Sequence, residues 1–128
     1  MSRGEINVRS GQVVDAAMKV HSILGPGLLE SAYEACLAHE LRGRGVLVRT
    51  QVPLPIMYDG VAIEVGYRID MLVADAVIVE LKTVGRLLPI HDAQLLSYLR
   101  IGNFHAGLLL NFHVPRLRDG IKRLVNDL

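Results

Sequence analysis

Val13, Ala17, Val20 and Leu24 recur every three or four residues, which lays one apolar stripe along a helix over 12–24. Asp15 falls in its early turns, where the helix dipole favours negative charge, and Gly25-Pro26-Gly27 stops it. A second helix is predicted over 28–42, with Leu29, Ala32, Tyr33, Cys36, Leu37 and Leu41 as its apolar positions and Gly43 and Gly45 at its end. From Val46 the period changes to two. Val46, Val48, Val52, Leu54 and Ile56 read as a strand, but Pro53 and Pro55 confine it to an edge or a bulge.

Tyr58-Asp59-Gly60 supplies a turn, after which 61–73 and 77–83 read as strands. A third helix follows over 90–100, with Pro89 near its start, Leu95, Leu96 and Leu99 on apolar positions, and Gly102-Asn103 at its end. The continuous apolar run 106–112 reads as a buried strand. After Pro115, Leu117, Ile121, Leu124 and Val125 fit either a short helix or a last strand over 121–125. The predicted order is α-α-β-β-β-α-β plus a terminal element.

The hairpin at Ala74-Asp75-Ala76 has a register that parity can fix. A three-residue loop puts Val73 beside Val77 and, three positions back along each strand, Asp70 beside Glu80. Lys82 then shares their face, and Tyr67, Ile69, Met71, Val73, Val77, Val79 and Leu81 form an apolar reverse face. A two-residue turn would move Asp70 to the wrong side. Two carboxylates held side by side repel each other, and a divalent cation resolves that repulsion. Asp and Glu are hard oxygen ligands suited to Mg²⁺, with Mn²⁺ as the alternative ion; the missing His/Cys set argues against zinc. A solvated salt-bridge cluster centred on Lys82 is the plain structural alternative.

Composition narrows the setting. With 128 residues and 51% apolar side chains, the chain fits one compact domain, assigned to 12–128 behind a flexible segment over 1–11. This size leaves room for a homodimer. Fourteen basic against thirteen acidic residues exclude a polybasic coat but not a local phosphate-binding patch. Candidates for phosphate contact are Arg68, on the strand face of Asp70, and Arg86, just beyond the Lys82 strand, with ordinary salt bridging as the alternative, and the run Arg116, Arg118, Lys122 and Arg123, with a solvated terminal face as the alternative. His21 and His91 could line the same cleft, but they lack ligand partners at short spacing and read as structural or surface-exposed. The lone Cys36 cannot form an internal disulfide and reads as core filler. No secretion signal and no run of roughly 18 apolar residues is present, so no membrane span and a cytoplasmic location are expected.

Gly27, Glu30 and Tyr33 match a Gly-x-x-Glu-x-x-Tyr pattern, and 67–70, 77–82 and 94–99 follow in order. Together these segments, from about Val13 to Val125, resemble the GxxExxY protein family, which looks like a compact branch of the PD-(D/E)xK nuclease superfamily. The resemblance implies an α/β, restriction-endonuclease-like fold, a mixed β-sheet flanked by helices. It makes Asp70, Glu80 and Lys82 the signature residues, with Ile69 where the superfamily name has proline. Gln94 and Tyr98 resemble a helical Gln-x-x-x-Tyr element, and Glu30 an extra acidic residue brought to the site by an early helix.

The implied activity is Mg²⁺-dependent hydrolysis of phosphodiester bonds in nucleic acid, DNA ahead of RNA. Asp70, Glu80 and Glu30 would hold the metal, Lys82 would stabilise developing charge, and Gln94 and Tyr98, with Arg68 and Arg86, would contact substrate. Gln94 and Tyr98, four apart on one helical side, also fit a purely structural helix-to-sheet role. A catalytically inactive nucleic-acid-binding or protein-interaction module with the same fold is the competing class.

Overall fold

The computed structural model describes residues 1–126. Helix α1 spans Arg3–Leu24, nine residues longer at its start than the apolar stripe from 12 predicts. The Ser2 hydroxyl accepts the Glu5 N–H at 3.1 Å, and Ile6 and Ser10 continue the buried face through Val13, Ala17 and Val20. The expected flexible segment over 1–11 is therefore corrected: residues 3–11 are capped, packed helix. The last two residues of the expected 12–128 domain lie outside the described residues. Helix α2 spans Glu30–Gly43 and buries Tyr33, Leu37, Ala38 and Leu41. Cys36 is exposed rather than core filler, because it lies off that buried stripe.

The strands are β1 (Val48–Pro53), β2 (Ile56–Tyr58), β3 (Val61–Ile63), β4 (Arg68–Val73), β5 (Val77–Lys82), β6 (Ala106–Asn111) and β7 (Ile121–Val125). The single strand expected over 61–73 is two: β3 pairs with β2 in a small hairpin, and β4 joins the main sheet. Helix α3 is Pro89–Gly102, and a 3₁₀ turn at Leu117–Gly120 leads into β7, which settles the terminal element as a strand.

The main sheet has the order β1-β4-β5-β6-β7. All its neighbours are antiparallel except β5 and β6, whose parallel pairing requires the crossover that α3 supplies. Helices α1 and α2 cover one face through Val13, Tyr33, Leu37 and Leu41 against Met71, Val79 and Leu81. Helix α3 covers the other through Leu95, Tyr98 and Leu99 against Leu72, Ile78 and Leu109. With a helical layer on each side, β5 is buried from Val77 through Leu81, as strands covered on both faces are.

Val73 pairs with Val77 as parity requires, and Ala74 and Asp75 take the positive φ (53° each) of the connecting turn. The alternation does not survive further along β4. Met71 and Val73 belong to the cluster under α1 and α2, whereas Ile69 belongs to the one under α3. On the neighbouring strand Val48 and Val52 divide in the same way, and Gln51 between them has φ 52°. The left-handed residue turns the side-chain sequence over, and the β1–β4 ladder skips Gln51 opposite Asp70. The single apolar hairpin face expected from sequence is thus replaced by two buried faces and a break at Asp70.

Candidate active site

The site is built where β4 leaves β5. Their ladder ends at Met71–Val79, while β4 stays paired to β1 as far as Arg68, so the strands part at a fork. Beyond the last pair, side chains replace the ladder. The Asp70 N–H donates to Glu80 Oε1 at 3.3 Å, and the Leu81 N–H donates to Asp70 Oδ2 at 2.9 Å. Asp70 and Glu80 therefore meet in the fork. They are not equivalent, because Glu80 is only 4% exposed and Asp70 is half-buried.

Burial, followed by the hydrogen bond and charge of Asp70, pushes the Glu80 carboxyl up to about 9. At neutral pH the pair then carries one proton unless a cation takes its place.

Asp70 opens into a hollow of about 230 Å³ lined also by Glu30, Ser31, Glu34, Gln51 and Leu81. Glu30 and Glu34 come from the first turns of α2 and sit four apart on one side of it. The Glu30 carboxylate accepts the Thr83 N–H at 3.2 Å, tying the start of α2 to the end of β5. Glu34 accepts from Gln51 Nε2 at 2.7 Å, and burial, then the charges of Asp70 and Glu30, raise its carboxyl above the ordinary value. Sequence reasoning missed Glu34; its spacing from Glu30 was the available signal.

The Gly27–Tyr33 segment has a mechanical reason. The Tyr33 hydroxyl donates to the Gly25 carbonyl at 2.5 Å and accepts the Leu28 N–H at 3.2 Å, closing the α1–α2 turn. Its ring stacks on Phe112 with centroids 4.4 Å apart. Gly27 has φ 102°, a conformation that strains any side chain. These contacts aim the first turn of α2, and with it Glu30, at the fork.

On the α3 side, Lys82 Nζ donates to Gln94 Oε1 at 3.4 Å, and Gln94 Nε2 donates to Tyr98 Oη at 3.2 Å. Burial raises the Tyr98 phenol above its ordinary value, so it stays protonated. Behind Lys82, buried Asn111 grips the next loop. It accepts the Val84 N–H at 3.1 Å and donates to the Val84 carbonyl at 2.9 Å.

Arg68 and Arg86 are exposed, and neither lines the hollow. In the C-terminal run, Lys122 pairs with Asp92, and Arg123 donates to Asn7 at 2.7 Å. His21 bonds the Val114 carbonyl at 2.9 Å, and His91 Nδ1 accepts the Leu88 N–H at 2.9 Å at the start of α3.

Among the described residues, no three His, Cys, Asp or Glu side chains converge closely enough to enclose an ion. The donor set fits a different class. Mg²⁺ takes one or two carboxylates and keeps several waters, which Asp70 and Glu80 in the fork, with Glu30 and Glu34 beside open space, would accommodate. No described helix is long and apolar enough to cross a membrane.

No curated protein and no solved structure matches this chain. A family profile does match, over residues 7–124, and it takes in the fork, the acidic turn of α2 and the Gln94–Tyr98 helix. The five-stranded mixed sheet between helical layers agrees with it, and the chain belongs to the PD-(D/E)XK nuclease superfamily.

Proposed function

We propose that this chain is a divalent-metal-dependent phosphodiesterase acting on nucleic acid, with DNA as its first substrate. The observation that carries the reading is the Asp70–Glu80 contact in the fork, where a buried carboxyl lies against a second one at the edge of a hollow lined by Glu30 and Glu34. A module that only binds gains nothing from this arrangement, since a buried acid beside another acid weakens the fold at neutral pH.

Asp70 and Glu80 would hold the ion, Mg²⁺ or Mn²⁺, with Glu30 and Glu34 lining the same hollow beside it. Bound there, the metal supplies Lewis-acid polarisation of a phosphate oxygen and a more acidic water. Loading would require the Glu80 carboxyl to be ionised, its proton passing to solvent. Lys82, held by Gln94, would place its ammonium beside the charge that develops as water bonds to phosphorus and loses a proton to solvent, while one ester oxygen departs and takes up a proton from solvent. Tyr98, which accepts from Gln94, keeps its one hydroxyl hydrogen for the bound strand. Arg68 and Arg86 contribute phosphate contacts from the exposed surface outside the hollow.

The test is cleavage of single- and double-stranded DNA and RNA with Mg²⁺ or Mn²⁺, comparing the native chain with Asp70→Asn and Lys82→Ala. Loss of about 10²-fold or more in both variants is expected. Cleavage that is unchanged in both would assign the activity to another site or another protein.

A further inference from the structure

A second hollow, of about 460 Å³, adjoins the fork on the α3 side, between Ile56 and Tyr67 on one wall and His91, Gln94, Tyr98 and Ile101 on the other. Two aromatic rings converge in it: Tyr67 and Tyr98 lie 5.8 Å apart between centroids, tilted by 50°. Tyr98 is buried, whereas Tyr67 is 43% exposed, leaving much of its ring open to a ligand.

The polar groups are few and defined. Tyr98 accepts from Gln94 and keeps its own hydrogen to donate. His91 Nδ1 is an acceptor, so the other ring nitrogen carries the hydrogen. Gln94 also accepts from Lys82, which sets this hollow one side chain away from the fork.

An apolar recess with an open aromatic ring and a few convergent donors suits a planar heterocycle. We infer that the hollow takes one unpaired nucleobase, stacked on Tyr67, from the strand whose phosphate reaches Lys82. The substrate is then single-stranded or locally unpaired nucleic acid. A base inside a duplex has both faces stacked and its edge paired, and it enters such a recess only by flipping out. The inference rests on the phosphodiesterase reading for the position of that phosphate.

The test is fluorescence anisotropy in the presence of chelator, with short oligodeoxythymidylate, short oligouridylate and a DNA duplex of equal length. Single strands are expected to bind about tenfold or more tightly than duplex. Tyr67→Ala should weaken single-strand binding about five- to fifty-fold and leave duplex binding unchanged, with Tyr67→Trp restoring it. Ser97→Trp fills the hollow from an exposed position of α3 and should give the same loss. The DNA and RNA strands distinguish the two sources of the base.

Equal affinity for single strands and duplex, with no effect of Tyr67→Ala or Ser97→Trp, overturns the proposal. So does unchanged strand affinity together with a dimer, seen by sedimentation, that Tyr67→Ala dissolves; a second copy would then own the hollow. Binding is read without turnover, so the two readings fail separately. A Tyr67 effect on binding with no metal-dependent cleavage refutes only the phosphodiesterase, and cleavage lost in Asp70→Asn with no Tyr67 effect refutes only the base pocket.

Discussion

Asp70 and Glu80 exchange backbone partners across the fork: Glu80 Oε1 accepts the N–H of Asp70, and Asp70 Oδ2 accepts the N–H of Leu81. Each carboxylate stands where a ladder carbonyl would be, so the sheet parts without orphaning these amides. The exchange holds two acids together in a partly desolvated place, with consequences for pH.

Glu80 has a folded value of about 9 against an ordinary 4.5. Its contribution to the stability of the metal-free protein is fully present below 4.5 and is lost as pH rises toward about 9, by up to about 1.4 kcal/mol per pH unit. Urea midpoints of the metal-free chain should fall across that window, and Glu80→Gln should flatten the slope. A cation held as proposed would displace the same proton, so Mn²⁺ affinity by calorimetry should rise up to about tenfold per pH unit. Affinity that is constant between about pH 6 and 8 would remove Glu80 from the ligand set.

Tyr33→Phe keeps the stack on Phe112 and loses both hydroxyl bonds across the α1–α2 turn. A cost of about 1–2 kcal/mol is expected. Because the turn aims Glu30, metal affinity should weaken as well, measured by the same calorimetry. A variant as stable as the native chain would show the hydroxyl to be idle.

Asn111→Ala should leave the polar groups of Val84 without their side-chain partner, at about 1–3 kcal/mol. The loop they anchor directly follows Lys82. Faster amide exchange confined to residues 83–88 is the signature to seek by mass spectrometry, and protection equal to native would refute the anchoring role.

Two glycine substitutions should have opposite signs. A Cβ at Gly120 would collide with the Asn111 backbone carbonyl, which cannot yield as a side chain would, so Gly120→Ala should cost about 3 kcal/mol or more. Gly11 lies inside α1 with open space around it, and Gly11→Ala should stabilise by about 0.5–1 kcal/mol. Thermal melts of the two proteins decide both.

The pairing of β4 with β5 was legible because a three-residue loop and alternating residues permit one register, Val73 with Val77. Parity could not carry that register as far as Ile69, since nothing in Thr50-Gln51-Val52 announces a left-handed residue at its centre. The early start of α1 has a sequence signal in the capping-box spacing of Ser2 and Glu5, but the weakly apolar turns behind them hide the helical period. Glu30 came from a motif, whereas Glu34 needed the helix to be rotated onto the sheet. Arg68 stood out by strand parity with Asp70 and Arg86 by its place just past the Lys82 strand, and neither signal says whether a surface guanidinium reaches the hollow, which neither lines.

The bond from Glu30 to the Thr83 amide spans 53 residues, while Glu80, Lys82, Gln94 and Tyr98 all lie within one strand–helix segment. The lysine side of the fork is thus locally encoded, and its acidic hollow is borrowed from a distant turn. A chain still emerging during synthesis holds α2 long before it holds β5, so neither half can assemble the hollow alone. The acidic lining and the lysine side of the fork therefore come together only when α2 packs on the end of β5.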